Sequence, residues 1–464
     1  MYELKESRYN IWVVDYPSEK YSLVFNTLQN SLLMLPNTVR NKIKYDNINS
    51  ISHKLLTALL ELNILVEKEI NELRVLKYWF ERYRLLTDVV AISFLPTYSC
   101  NCACVYCYEE GINDRKVEDK HMSENLVADL MKWVTNLVTI WSPKTLDFCF
   151  HGGEPLLFPQ ILSSVAKEIN QVAEKYALKK VFSVVTNGTL LSSKIVAMLK
   201  EYNFNKIMCT IDGIAKIHNS RRPFCNGKGT FQIIFNNIRN ALDKGMTVIM
   251  SVNIDRINYS YIIDLIKFLS TKKMQKYDRF SVVFAVVKQG PQADNPTYFV
   301  KNQLHGKEIA DIFTVLYSAA LREKFRIVDP ISSGFCSYRT MKNFFIDYKG
   351  DIYKCASLVG TKAGFIGNIR QSFSPIFRRL SQDFYPIPWE KEKRCKKCKY
   401  LPLCLGGCAQ QSLLFNNNRE KVDCMFSFFY NYLPEAIKIK YNRARLFPDT
   451  MDASSISVKE FLRL

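Results

Sequence analysis

From Val89 to about Val287, short apolar runs alternate with amphipathic helical segments, and no other feature of this chain narrows its fold so far. The apolar runs read as strands at Ala91–Leu95, Leu146–Phe150, Val181–Val185, Lys206–Ile211, Val248–Asn253 and Phe280–Val287. Helical patterns lie between them, for example Ile161, Val165, Ile169, Val172 and Tyr176. About six such β-α units imply a parallel α/β sheet, curled into a partial or full barrel. In such sheets chemistry sits at the carboxyl ends of the strands.

The flanks differ. Residues 1–88 hold no cysteine and read as a compact α+β, winged-helix-like module. Its expected strands are Ile11–Tyr16, Ser22–Phe25, Ser31–Leu35 and Ile64–Val66, and its expected helices Ser52–Leu62 and Glu69–Arg84. Such a module is either a structural cap or a docking site whose edge strand accepts an extended peptide. The barrel pattern occupies 89–300, a helical connector 301–330, and a cysteine-dense, loop-rich segment with a helical tail 331–464.

Hydrophobic residues make up 48% of the 464, a globular proportion, and no apolar run is long enough to span a bilayer. The charged start, Met1-Tyr-Glu-Leu-Lys-Glu-Ser-Arg8, has no apolar signal core, so a cytoplasmic, reducing setting is expected. Fourteen cysteines in such a setting point to metal ligation, and five histidines argue against a His-rich metal site. The net charge of +20 raises nucleic acid as a partner, but no basic helix or nucleic-acid module is present. An acidic peptide or an acidic electron-transfer protein suits the charge better.

Just after the first strand the chain reads Cys100-Asn-Cys-Ala-Cys104-Val-Tyr-Cys107-Tyr. Cys100, Cys104 and Cys107 have the spacing C-x3-C-x2-C, and Cys102 falls outside it. Three thiolates in one loop can hold three irons of a cubic cluster and leave the fourth iron open to a substrate or cofactor. A structural zinc site wants four ligands. Zinc with a distant fourth ligand, or plain buried thiols, are the alternatives. His151-Gly-Gly-Glu-Pro155 follows the second strand; its glycines let a ligand approach the backbone, and Glu154 can accept from an ammonium group. Thr186-Asn187-Gly188-Thr189 follows the third strand, and Thr210-Ile-Asp212-Gly213 the fourth. Next comes His218-Asn-Ser-Arg-Arg-Pro223, where an arginine can grip a carboxylate. Ser251-Val-Asn253 ends the fifth strand. Each motif alone is weak, while their order behind successive strands is specific.

Together these motifs resemble the radical S-adenosylmethionine (radical SAM) superfamily, over about residues 90–430. The resemblance implies a [4Fe-4S] cluster on Cys100, Cys104 and Cys107 whose open iron binds S-adenosylmethionine. Reductive cleavage of that cofactor would yield a 5′-deoxyadenosyl radical that takes hydrogen from the substrate. The resemblance also puts Tyr106 by the adenine and assigns the amino group to Gly152, Gly153 and Glu154. It sets Thr210 near the ribose and Arg222 near the carboxylate. Thr186, Asn187, Asp212 and Asn253 complete the cofactor-binding set. A second cysteine series, Cys336, Cys355, Cys395, Cys398, Cys404, Cys408 and Cys424, resembles the SPASM extension with its auxiliary iron–sulfur clusters. That resemblance implies one cluster on Cys395, Cys398, Cys404 and Cys424, and another on Cys336, Cys355 and Cys408. Fully ligated members have a further cysteine shortly after the position of Cys336, where this chain reads Ser337-Tyr-Arg-Thr-Met-Lys-Asn343. An open iron or a two-iron cluster there is expected.

The implied function is peptide maturation: a cross-link, thioether first and carbon–carbon next, placed in a ribosomally made precursor peptide. Flavodoxin or ferredoxin would supply electrons, with no membrane involved. An anaerobic sulfatase-maturing activity, which makes formylglycine, is the second reading. That family places an aspartate base directly after the cysteine matching Cys355, and this chain has Ala356. A non-enzymatic peptide-binding or redox-sensing protein is the third.

Overall fold

Long apolar runs can be buried on both faces only at the centre of a layered fold, and here they form one sheet. In this computed structural model, which describes residues 3–109, 121–291, 296–331, 336–384 and 386–448, the chain divides into two compact units. The larger unit comprises Tyr83–Leu304 and Cys336–Pro386, and the smaller Met1–Arg82, His305–Phe335 and Ile387–Leu464. Residues 449–464 of the expected helical tail lie outside the described residues.

The larger unit is α/β. Its six strands are Val89–Phe94, Thr145–Phe150, Lys179–Thr186, Phe204–Thr210, Thr247–Ile254 and Phe280–Val286. Each end lies within two residues of its expected position. All six run parallel, each beside the next in sequence. Helices Glu124–Trp141, Pro159–Lys175, Ser193–Glu201, Phe231–Asp243 and Ile262–Thr271 connect them. Packed phenylalanines fill the inside: Phe150 meets Phe94 edge-on at 5.8 Å and Phe204 at a tilt at 5.2 Å between ring centroids. Helix residues Leu162, Val165 and Ile169, all at 0% exposure, cover the strands.

Three short strands extend the sheet beyond the first strand, in a region that the sequence presents as loops. Asn343–Ile346 runs parallel to Val89–Phe94, and Asp351–Tyr353 and Phe365–Asn368 follow antiparallel. Their turn depends on Gly350 at φ +81 and on Asp347, whose Oδ1 accepts from Lys349 N and Asp351 N. Strands of three or four residues are too short to leave a periodic signal.

In the smaller unit, Asn10–Val13, Tyr21–Asn26 and Ser31–Pro36 form an antiparallel sheet in that order, and Leu4–Glu6 pairs with Leu65–Glu67. Val24, Leu33, Leu59 and Ile64 share a core with the helix His53–Glu61. The helix Glu72–Leu85 starts later than its pattern suggests, because Asn71 Oδ1 accepts from Arg74 N at its first turn. Asn37–Lys44 is a further helix that apolar spacing did not reveal, since it buries only Ile43. A second core joins distant parts of the chain: Tyr9, Leu76 and Phe80 pack with Ile387, Trp389 and Leu401. The helices Gly306–Arg322 and Phe426–Leu446 pack together, Phe313 meeting Tyr432 at 5.9 Å. No helix among the described residues is long and apolar enough to cross a membrane.

Trp389 is 1% exposed and faces Phe80 at 6.4 Å. Trp389→Ala is expected to cost the smaller unit about 3–5 kcal/mol. Val315→Ala, at a side chain 52% exposed, is expected to cost almost nothing. Unfolding midpoints of the two variants in denaturant check the difference.

Candidate active site

The cysteine loop is pinned from below by the turn after the second strand. His151 N donates to Phe94 O, Gly153 N to Thr97 O and Glu154 N to Ser99 O, at 2.8, 3.2 and 2.8 Å. A Cβ at Gly152 would lie 2.5 Å from Thr97 O, and one at Gly153 2.2 Å from Ser99 O, so the two chains touch only because both residues are glycine. Glu154 has 0% exposure. Its Oε1 accepts from Leu156 N and Thr186 Oγ1, and its Oε2 from Asn187 N. Burial raises its pKa, and these hydrogen bonds work against that rise. Asn187 continues the chain of contacts, donating from Nδ2 to Asn101 Oδ1 at 2.8 Å and lying 3.7 Å from Cys100 Sγ.

A second buried network holds the other side. Tyr106 OH donates to Asp212 Oδ2 and accepts from Arg222 Nη1 at 2.8 Å and Asn253 Nδ2 at 3.2 Å. Asp212 Oδ1 accepts from Asn253 N at 2.9 Å. Arg221 lies with its guanidinium 4.7 Å from the Tyr106 ring centre and pairs with Asp255 at 2.8 Å. His218 Nδ1 accepts from Asp212 N, and its Nε2 meets Thr230 Oγ1 at 3.0 Å. Burial and the two arginines lower the His218 pKa to about 3, so the ring is neutral. Burial opposes the charge of Arg222, but the Cys104 thiol, Tyr106 and Asp212 outweigh it and keep the guanidinium charged.

Between these networks lies a cavity of about 390 Å³ at the carboxyl ends of the strands. Cys100, Cys104 and Cys107 line it, as does Cys102, whose N donates to Cys100 Sγ. Of the expected cofactor set, Tyr106, Gly152, Gly153, Thr186, Asn187, Thr210, Arg222 and Asn253 line the same cavity. Glu154 and Asp212 stand behind the wall, fully buried, where they orient the residues that face inward. Arg222 Nε has no hydrogen-bond partner among the described residues.

Sequence reasoning did not single out Tyr108, Glu109, Lys288 or Ser357, which also line the cavity, nor give His151 a role of its own. Glu109 is 4% exposed, its Oε1 has no hydrogen-bond partner among the described residues, and burial pushes its pKa up to about 7. His151 Nδ1 lies 3.8 Å away, and burial lowers that ring to about 4. Glu109 stands two residues beyond Cys107 in a loop already marked, but a single glutamate carries no pattern that separates it from a solvated one.

The remaining cysteines divide between the units. In the larger unit Cys336 opens the turn Ser337–Arg339, and Cys355 opens the turn Ala356–Leu358. Cys355 lies within electrostatic range of Tyr108, and Cys336 within range of Lys354. In the smaller unit Cys408 opens the helix Ala409–Asn416. There Cys395, Cys398, Cys404 and Cys424 interact electrostatically as one group, and burial with their mutual repulsion pushes Cys395 up to about 11. Burial also raises Cys398 and Cys404, and such a thiol-rich group is a donor set that a cationic cluster would deprotonate.

Residues 94–269 match the model of the radical SAM superfamily. A cysteine-type anaerobic sulfatase-maturating enzyme of Clostridium novyi is 26% identical over 334 residues, 67% of this chain and 85% of that protein. The solved structure of anSMEcpe with bound AdoMet superposes with a TM-score of 0.63 at 20% identity, covering 78% of this chain and 98% of that one. Streptococcus suis SuiB superposes with a TM-score of 0.50 at 13% identity, covering 90% and 98%. The two structures share the fold with this chain. The domain match implies a [4Fe-4S] cluster and S-adenosylmethionine. The chemistry of the cavity lining suits both: three thiols, two adjacent glycines and a buried guanidinium.

Gly153→Ala is expected to push the cysteine loop off its seat. Iron per chain should fall by about four after reconstitution, and S-adenosylmethionine binding should be lost. Iron analysis and equilibrium dialysis read both, and unchanged values would show that the close approach to Ser99 is dispensable.

Proposed function

We propose that this radical SAM enzyme matures a peptide by joining a cysteine sulfur to a carbon of the same chain. The observation that carries the reading is the place of Cys355. It belongs to a cysteine set with no fourth member nearby in sequence, it lies within electrostatic range of the cavity residue Tyr108, and it precedes the cavity residue Ser357 by two positions. A cluster held there with an open iron suits capture of a substrate thiolate. When bound, the first cluster and S-adenosylmethionine would supply a 5′-deoxyadenosyl radical that takes one hydrogen atom, while the thiol proton would leave to solvent and the remaining electron would pass to an auxiliary cluster.

The chain's own residues do the rest. The Arg222 guanidinium would pair with the cofactor carboxylate, and the Gly152 and Gly153 backbone would lie against the amino end. Thr210 and Asn253, which line the cavity, would meet the sugar. Glu109, buried with an unpaired oxygen, accepts a hydrogen bond from the substrate. Cys395, Cys398, Cys404 and Cys424 would hold one auxiliary cluster, and Cys336 and Cys355, together in the larger unit, would serve the other. The N-terminal antiparallel sheet receives the leader of the peptide along an edge strand. A structure of anSMEcpe with AdoMet and the Kp18Cys peptide, with a TM-score of 0.61, supports a peptide as substrate.

The sulfatase-maturating relatives favour a second reading, formylglycine formation. It requires a proton acceptor beside the substrate. Ala356 offers none at the position after Cys355, which leaves Glu109 as the carboxylate that lines the cavity.

Three cubic clusters predict about twelve irons per chain, against about four without auxiliary clusters, and iron analysis of the reconstituted protein separates these values. Co-expression with candidate precursor peptides, followed by mass spectrometry, is the direct test. A thioether costs the peptide two hydrogens, and an unchanged mass alongside cleaved S-adenosylmethionine would sink the cross-linking reading. Cys355→Ala is expected to keep production of 5′-deoxyadenosine within about twofold while cross-linked product falls at least about a hundredfold, as loss of the capturing site demands.

A further inference from the structure

The four-cysteine group of the smaller unit is not enclosed. Cys395 is buried and Cys398 and Cys404 are half-buried, but Cys424 is exposed, so the group opens to solvent on that side. The surface around it is basic. Lys391, Lys393, Arg394, Lys396, Lys397 and Lys399 are all exposed along the segment that carries Cys395 and Cys398. Lys421, three residues before Cys424, is exposed as well.

From Glu390 to Cys424 there are eight basic residues and four acidic ones. Each acidic side chain already has a partner within this unit. Glu390 meets Lys77 at 2.8 Å, Glu392 meets Arg394 at 3.8 Å and Glu420 meets Lys391 at 2.8 Å. Asp423 Oδ2 accepts from Cys408 N at 3.1 Å. The positive surplus therefore faces water. Beside Cys424 stand two exposed rings, Phe426 at 51% and Tyr430 at 60%, stacked 5.8 Å apart. Large aromatic rings left in water beside a charged rim match the build of a protein contact, with an apolar centre and a polar edge.

We propose that this face docks an acidic electron-carrier protein, its carboxylates on the lysine rim and its cofactor edge over Phe426, Tyr430 and Cys424. The inference rests on reading Cys395, Cys398, Cys404 and Cys424 as cluster ligands. Electrostatic steering suits such a partner, because a carrier must arrive fast and leave again. Exposure of a ligand-bearing cysteine beside the patch favours a carrier over a nucleic acid, which gains nothing from reaching the sulfur.

The test uses the reconstituted holoenzyme and a bacterial flavodoxin as probe, with binding read by biolayer interferometry at low and high salt. Combined Lys393→Glu, Lys396→Glu and Lys397→Glu changes are expected to weaken binding about tenfold or more at low salt and to flatten its salt dependence. Phe426→Ser is expected to weaken it while leaving the salt dependence intact. A paired Lys167→Glu and Lys267→Glu variant, altered on exposed barrel helices, is expected to bind like the parent. Parent-like affinity in the triple variant, or equal losses in the barrel control, would overturn the proposal. So would displacement from this face by an RNA duplex or an acidic peptide that flavodoxin cannot match. Iron content of every variant is measured alongside. Full loading with no flavodoxin binding removes the docking face and spares the cluster reading, whereas missing auxiliary iron in the parent removes the cluster reading itself.

Discussion

Burying a carboxylate is costly unless hydrogen bonds replace its water, and the Glu154 side chain meets that condition by taking three donors from the ends of two strands. In doing so it ties the turn after the second strand to the Thr186-Asn187 turn after the third. Its own N–H, with that of Gly153, holds the cysteine loop after the first. Three loops that the sheet leaves free are thereby fixed to one another. Without that knot the three thiols would have no common geometry, and a cluster requires one.

The Tyr106–Asp212–Arg222 network plays the same part on the opposite wall. It brings a phenol, a carboxylate and a guanidinium from three segments into contact, shielded from water and backed by the Arg221–Asp255 pair. Each charge there has an opposite charge or a hydrogen bond, so the network is rigid. Arg222 and Glu109 line the cavity, and the Nε of Arg222 and the Oε1 of Glu109 are among the buried polar atoms with no hydrogen-bond partner among the described residues. Unmatched buried donors and acceptors carry a cost of about 1–3 kcal/mol each until a ligand satisfies them. Their placement supports a site built for a polar guest.

Much of this was legible in advance, for a physical reason. The strands alternate buried apolar residues with half-buried ones, as Leu146, Phe148 and Phe150 do in the second, so the six declared themselves to within two residues. Clusters need cysteines at fixed spacing, so Cys100, Cys104 and Cys107 stood out, and the order of the other motifs behind strand ends carried the resemblance from which the expected cofactor set was taken. Glu109, Lys288 and Ser357 gave no such sign, because one polar residue in a loop looks the same whether it meets solvent or a cavity. The three short strands from Asn343 to Asn368 were silent for want of length, and the core joining Tyr9 and Phe80 to Trp389 for want of any local trace.

Local chemistry, then, is what the sequence by itself determined: which residues form strands, which loops carry thiols, and which glycines admit a close approach. Spacing along a chain encodes those properties, since each depends on neighbours within a few residues. The tertiary structure alone decided that Glu154 and Asp212 stand behind the cavity wall while Arg222 faces inward. It also divided the last cysteines between two units, and set Trp389 against the N-terminal module within one of them. Those outcomes depend on contacts between residues tens to hundreds of positions apart, and burial at that range is set by packing rather than by pattern.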